Sequence, residues 1–207
     1  LTELVVSNRP TRGLWISGHS GTGKSSLASL WYKSLLCFNR KPGTYEPCGT
    51  CPICVSKDTT NIQSYTISDA TEAKEQFLRL TDNAKGNPIP QPSAKFDHKR
   101  QVIIINEAQN ASSAALGTLY EAIENANSKT TWIIITMDES GLNDNQRDAL
   151  SYRCLQINLY RTSTQIIKNR ILKCLPQLKE EAAEAIAYFS YGNIRAAWSI
   201  LEKVYPR

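Results

Sequence analysis

A glycine-rich octapeptide set between two differently patterned apolar runs constrains this 207-residue chain more than any other feature. Gly18-His-Ser-Gly-Thr-Gly23-Lys24-Ser25 satisfies G-x-x-x-x-G-K-[ST]. Ahead of it, Gly13 to Ser17 (GLWIS) has the pattern of a short buried strand, and behind it Ser25 to Leu36 repeats apolar residues at a helical period. Gly18, Gly21 and Gly23 let the backbone curl so that successive N–H groups and a helix N-terminus face a phosphate chain. Thr22 and Ser26 belong to the same turn, Lys24 is placed to neutralise β and γ phosphates, and the Ser25 hydroxyl is placed to ligate Mg²⁺. The expected ligand is ATP with Mg²⁺. A chance glycine turn is the alternative, and the matching strand and helix argue against it.

The rest of the pattern is α/β. Strands are expected at about Ser64 to Ser68, at Gln101 to Asn106 (QVIIIN), at Thr131 to Met137 (TWIIITM) and at Leu155 to Leu159. Unbroken β-branched runs of this kind belong to parallel strands covered on both faces. Helices are expected over Thr71 to Ala84, with Ala73, Phe77, Leu78 and Leu80 inward, and over Ala114 to Asn125, capped by Ser112 or Ser113. Residues 85–100, with three prolines, read as a loop. From Ser163 the character changes to three short amphipathic helices, Ser163 to Leu175, Leu178 to Phe189 and Ile194 to Val204. Two domains follow as an expectation: 1–160 for nucleotide binding, and 161–207 as a small helical lid. With 41% hydrophobic and 21% charged residues, the chain falls outside the disordered and collagen-like classes. No run approaches the roughly 18 apolar residues of a membrane span, and LTELVVSNRPTRG lacks a secretory apolar region, so an intracellular, cytoplasmic protein is expected. The net charge of +5 tolerates an anionic partner without demonstrating one.

Two further groups carry chemistry. At the end of the QVIIIN strand stands Asn106-Glu107, where a phosphate-loop protein places a carboxylate that holds the Mg²⁺ water shell. Asn106 can bond a metal-bound water but brings no negative charge, while Glu107 can polarise an attacking water. ATP binding with slow hydrolysis is the expectation, and a plain strand-to-loop turn is the alternative. Cys37, Cys48, Cys51 and Cys54 form C-x10-C-x2-C-x2-C among Pro47, Gly49 and Pro52. In a reducing compartment this spacing suits one tetrahedral Zn²⁺ with a structural role better than disulfides. Cys154 and Cys174 are expected to be small buried residues, and His19 and His98 to hold no ligand.

A phosphate loop whose helix ends on a cysteine, followed by PCGTCPIC, resembles the zinc-bearing AAA+ module of the bacterial clamp-loader subunits gamma/tau and delta prime, related to replication factor C. The likeness continues through Ser68-Asp69-Ala70, through Asn106-Glu107-Ala108 in place of a D-E-x box, through Thr136 at the sensor 1 position, and through Ser151-Tyr152-Arg153-Cys154, an S-R-C motif with one residue inserted. It ends in Gly192-Asn193-Ile194-Arg195-Ala196-Ala197, similar to the sensor 2 segment of the lid. The resemblance implies an AAA+ parallel sheet with helices on both faces, a zinc-binding insertion at 37–54 and a three-helix lid. It implies that Glu107 and Thr136 act on the attacking water, that Arg153 reaches a neighbouring subunit's γ-phosphate, and that Arg195 senses the γ-phosphate of the bound nucleotide. For Arg153 and Arg195 an ordinary surface arginine is the alternative, and for Thr136 an ordinary strand end. The implied partners are other AAA+ clamp-loader subunits, a sliding clamp and primed DNA met through its phosphates, at replication sites on the nucleoid. The helix start at Asn110 to Ala114, with Lys95, Lys99 and Arg100, is the candidate DNA contact, although such a basic run also suits a solvated loop. The implied function is that of an ATP-binding clamp-loader subunit in DNA replication. A stator that binds ATP without turnover, or another AAA+ DNA-handling ATPase such as a helicase loader, are the alternatives. The family's collar domain has no counterpart in the chain, which is expected to be either a fragment or a minimal version; a cellular and a viral source both remain open.

Overall fold

The computed structural model describes residues 3, 11–57, 61–82, 100–126, 128–137 and 141–205, without the side chains of 71, 72 and 79–82. Lys95, His98, Lys99 and Ala84, and the side chain of Leu80, therefore lie outside what is described. Five strands form one sheet: β1 (Gly13–Gly18), β2 (Ile62–Thr66), β3 (Gln101–Asn106), β4 (Thr130–Ile135) and β5 (Leu155–Leu159), in the order β2-β3-β4-β1-β5. β1 pairs with β4, β4 with β3, and β3 with β2, each in parallel. The three inner strands are the unbroken apolar runs. Leu14, Ile16, Ile103, Ile105 and Trp132 to Ile134 are shut off from solvent, whereas the edge strands β2 and β5 are half open.

The helices are α1 (Lys24–Leu36), α2 (Ala70–Asp82), α3 (Ser113–Glu124), α4 (Asp144–Arg153), α5 (Thr164–Cys174), α6 (Glu180–Phe189) and α7 (Ile194–Val204). Phe77 of α2, Leu116 and Leu119 of α3 and Leu150 of α4 join Trp15, Ile103, Ile105 and Trp132 in one apolar core. Ser112 caps α3 by accepting from the Ala115 N–H, one of the two expected cap positions.

The chain separates into two compact units: 1–17 with 25–157, and 18–24 with 158–207. The phosphate loop thus clusters with the C-terminal helices. That second unit has its own core, in which Ile167 and Ile171 of α5 meet Ala183, Ile186 and Ala187 of α6 and Ala197 and Leu201 of α7.

Several expectations shift. β2 begins two residues early because its register with β3 runs from Ile62↔Val102 to Thr66↔Asn106 and stops where β3 stops. Leu78 is exposed, since α2 turns only Ala73 and Phe77 of the described side chains fully inward. Cys174, at the outer end of α5, is exposed rather than buried, whereas Cys154 is buried. α4 went unforeseen: its sequence DNQRDALSYR buries only Leu150, so no apolar stripe announces it. The helix is started by a capping box, with Asn143 Oδ1 accepting from the Gln146 N–H and Gln146 Oε1 accepting from the Asn143 N–H.

Candidate nucleotide and metal sites

The phosphate loop is shaped by three glycines with positive φ, Gly18, Gly21 and Gly23. Two of them are also forced by close approach. A Cβ on Gly18 would lie 2.2 Å from the Leu159 carbonyl oxygen, and one on Gly21 would lie 1.9 Å from Asn193 Oδ1. Thr22 and Lys24 are buried, and the Thr22 hydroxyl donates to the His19 carbonyl at 2.8 Å. Lys24 Nζ donates to the carbonyls of Gly18 at 2.6 Å and His19 at 3.0 Å. Its charge is thereby held over the loop from which it springs. Ser25 and Ser26 are exposed on the first turn of α1.

In the larger unit the acidic box takes an uncommon form. Glu107 has φ 57 and ψ 40, a left-handed conformation that few non-glycine residues adopt and that is found at functional turns. Its carboxylate accepts from Gln109 Nε2 at 2.6 Å, and Gln109 Oε1 accepts from the Met137 N–H at 3.1 Å, just past β4. Gln109 thus ties the carboxylate to the end of the neighbouring strand. Sequence reasoning missed it because a glutamine three residues past a strand carries no motif. Asn106 Nδ2 donates to Ser64 Oγ at 3.1 Å and to the Tyr65 carbonyl at 3.4 Å, so its amide stitches β3 to β2. An ionised aspartate could donate neither bond.

Thr136 is fully buried, and its hydroxyl accepts from Trp15 Nε1 at 3.0 Å. Arg153 is half-buried. It forms an ion pair with Glu124 at 2.5 Å, donates to the Ala149 carbonyl at 2.8 Å, and lies 5.4 Å from the centre of the Tyr120 ring. Tyr120 gives its hydroxyl proton to the Gln146 carbonyl, and burial pushes its pKa up to about 12 against the opposing pull of Arg153. Arg195, on the first turn of α7, is exposed. The segment offered for DNA divides: Ala108–Asn110 is a short 3₁₀ turn, Asn110 Nδ2 is spent on the Ile67 carbonyl at 2.9 Å, and the α3 helix starts only at Ser113. Arg100 donates to the Ser128 carbonyl at 3.5 Å.

Cys37, Cys48, Cys51 and Cys54 converge, with their four Sγ atoms all within 4.8 Å of one another. The separations are 3.9 Å for Cys48–Cys54, 3.9 Å for Cys37–Cys51 and 3.4 Å for Cys51–Cys54. A disulfide needs about 2.05 Å, whereas four sulfurs about 2.3 Å from one tetrahedral ion stand about 3.8 Å apart. The four thiols are free, and their geometry is compatible with a metal ion. Backbone turns build the cage: the Cys48 N–H donates to Cys37 Sγ at 3.2 Å and the Cys51 N–H to Cys48 Sγ at 3.3 Å, while Ile53, buried beside them, anchors the loop. The hydrogen bond from the Thr50 hydroxyl lowers the Cys48 pKa to about 6, and burial raises that of Cys54 to about 12.

Known proteins place these features in a family. The family described as DNA polymerase III, delta subunit, matches residues 1–163. The DNA polymerase III subunit gamma/tau of Mycoplasma genitalium is 23% identical over 99% of this chain and 33% of its own length. The DNA polymerase III subunit gamma of Buchnera aphidicola subsp. Acyrthosiphon pisum is 27% identical over 90% of this chain and 50% of its own. The chain therefore spans a third to a half of the length of these relatives. Among solved structures, the RuvB Holliday junction branch migration motor of Thermotoga maritima superposes with a TM-score of 0.58 at 19% identity, covering 98% of this chain and 57% of that one. That likeness bears on the fold alone. With four-fifths of its length matched, this chain belongs to the DNA polymerase III delta-subunit family.

Proposed function

We propose that the chain is an ATP-binding AAA+ subunit of a DNA polymerase clamp loader, acting in DNA replication. The observation that carries the reading is the combination of a phosphate loop with a four-thiol cage on one AAA+ sheet, in a chain of this family. Gly18, Gly21, Thr22, Gly23, Lys24, Ser25 and Ser26 would hold the ATP phosphates, with Ser25 on Mg²⁺ and Arg195 sensing the γ-phosphate. Cys37, Cys48, Cys51 and Cys54 would hold a structural Zn²⁺. Mg²⁺ supplies charge neutralisation along the phosphates; the chain's own part is to position and polarise. Glu107, oriented by Gln109, accepts a proton from water, and Arg153 leaves Glu124 to reach a neighbouring subunit's nucleotide. Thr136 would steady the same water through the proton of its hydroxyl, whose oxygen already serves Trp15. Residues 1–160 and 161–207 would be the nucleotide-binding domain and its lid. The partners would be other AAA+ subunits, a ring clamp and primed DNA, in the cytoplasm at replication sites. Purification of the protein in ATP, followed by identification of the bound chains, tests this: a ring clamp with related AAA+ subunits supports it, and a replicative helicase overturns it.

A second reading, an ATP-bound stator with little turnover, is favoured by Asn106. Its amide is committed to Ser64 and Tyr65 where a carboxylate would face Mg²⁺. Asn106→Asp is expected to raise steady-state phosphate release several-fold while lowering stability by about 1–3 kcal/mol through two lost donor bonds. An unchanged rate in a folded variant counts against this account of slow turnover.

A further inference from the structure

We propose that Asn193 couples the C-terminal helices to the phosphate loop and positions that loop for a nucleoside triphosphate. The inference rests on the reading of the loop as a triphosphate site. Both arms of the Asn193 side chain are used. Oδ1 accepts from the Ala196 N–H at 3.0 Å and caps α7, while Nδ2 donates to the Ser20 carbonyl at 3.1 Å, within the phosphate loop. The next residue repeats the link, since the Ile194 N–H donates to the Gly21 carbonyl at 3.1 Å. Two donors at the start of α7 thus find acceptors in the loop instead of in water.

The consequence for the loop follows from peptide geometry. A trans peptide is planar, with its C=O and N–H on opposite edges, so fixing the Ser20 carbonyl toward α7 fixes the Gly21 N–H away from it. Gly21 has φ +76, and a Cβ there would overlap Asn193, so the close approach is part of the design of the loop. The turn that carries Asn193 is itself held rigid. Tyr191 and Gly192 both have positive φ, the Gly192 carbonyl accepts from the Thr162 N–H at 3.0 Å, and Arg161 donates to the Tyr191 carbonyl at 2.9 Å. A bulky residue such as Tyr191 adopts this conformation only where its surroundings impose it. Two residues past Asn193, Arg195 stands in the first turn of the same helix. Ligand contacts at the loop and the orientation of α7 are therefore linked through the Asn193 side chain and the Ile194 N–H, and by reciprocity each alters the other.

Serine and aspartate cap helices about as well as asparagine, but neither presents a second arm with an N–H donor. Asn193→Ser and Asn193→Asp are therefore expected to keep the melting temperature of the wild type while weakening ATP binding about tenfold, measured with a fluorescent ATP analogue on the whole chain. The neutral serine excludes a simple charge effect. In the wild type, ATP is expected to slow hydrogen exchange of the Ile194 amide, and in the variants it is not. Wild-type affinity in both variants, or Ile194 exchange indifferent to ATP in the wild type, overturns the proposal. If the variants melt early, the wild-type exchange measurement decides alone. Lys24→Ala separates the two levels: if the wild type binds no ATP, or binds it no better than Lys24→Ala, the triphosphate reading itself has failed and the coupling falls with it.

Discussion

At the scale of single residues, Thr136 shows how burial gives a residue a structural bond beside the role proposed for it. Its position just past β4 was legible from the run WIIIT, yet only packing reveals that its hydroxyl is the acceptor for a buried indole N–H. Thr136→Val keeps the shape and removes the acceptor, leaving Trp15 Nε1 without its bond in the core. The expected cost is about 1–3 kcal/mol, read from chemical denaturation; a cost near zero would mean that the indole finds another partner. Glu107 carries the opposite message. The sequence marks it as the carboxylate nearest the Asn106 position, but its left-handed backbone and its bond to Gln109 depend on a turn that no local pattern encodes. Arg153 was legible as a motif residue beside an inserted Tyr152. Its ion pair with Glu124, twenty-nine residues away in sequence, was not legible.

At the scale of elements, the cysteine insertion and the C-terminal helices answer to different forces. The cage joins the end of α1 to residues 48–54 through sulfur and backbone hydrogen bonds. With zinc in the cage as proposed, a chelator, or replacement of Cys51 by serine, is expected to unfold this loop first, since ligand binding and folding are one equilibrium in such sites. Metal analysis of the purified protein should return about one zinc per chain, and the Cys51→Ser protein less than half of that. In the C-terminal unit, Lys168 Nζ bridges Glu180 at 2.8 Å and Glu184 at 2.9 Å, joining α5 to α6. Hydrogen bonds from Lys168 hold Glu180 below its ordinary value of 4.5, and those carboxylates hold Lys168 above 10.5. The signs differ. The lowered carboxylate stabilises the fold above its unfolded value and loses that contribution as pH falls through its folded value; the raised lysine stabilises below its unfolded value and loses it as pH rises through its folded value. Melting of the wild type is therefore expected to hold a plateau between the two ranges and to decline at both ends, and Lys168→Met should flatten both limbs.

At the scale of the whole molecule, nucleotide binding should appear as stability. A ligand held by the native state alone adds about 2.7 kcal/mol at a hundred times its dissociation constant, so Mg-ATP is expected to raise the melting temperature by several degrees, and Lys24→Ala to abolish the rise. An equal rise in both proteins would place the nucleotide elsewhere. The sequence by itself determined the α/β class, the three inner strands, the phosphate loop, the four-thiol set and the three closing helices. Each is written in a local period or spacing: β-branched runs for strands covered on both faces, the recurrence of Leu and Ala for helices, and glycines where the backbone must turn left. What only the tertiary structure decided was everything fixed by partners distant in sequence. The strand order, the end of β2 at the last residue of β3, the helix α4 with its single buried leucine, the buried hydroxyl of Thr136, the pairing of Arg153 with Glu124, and the bond from Asn193 to Ser20 all belong to that class. The reason is physical: periodicity records which face of an element is dry, but a hydrogen bond or ion pair between residues far apart in sequence leaves no trace in the local pattern until the chain has folded.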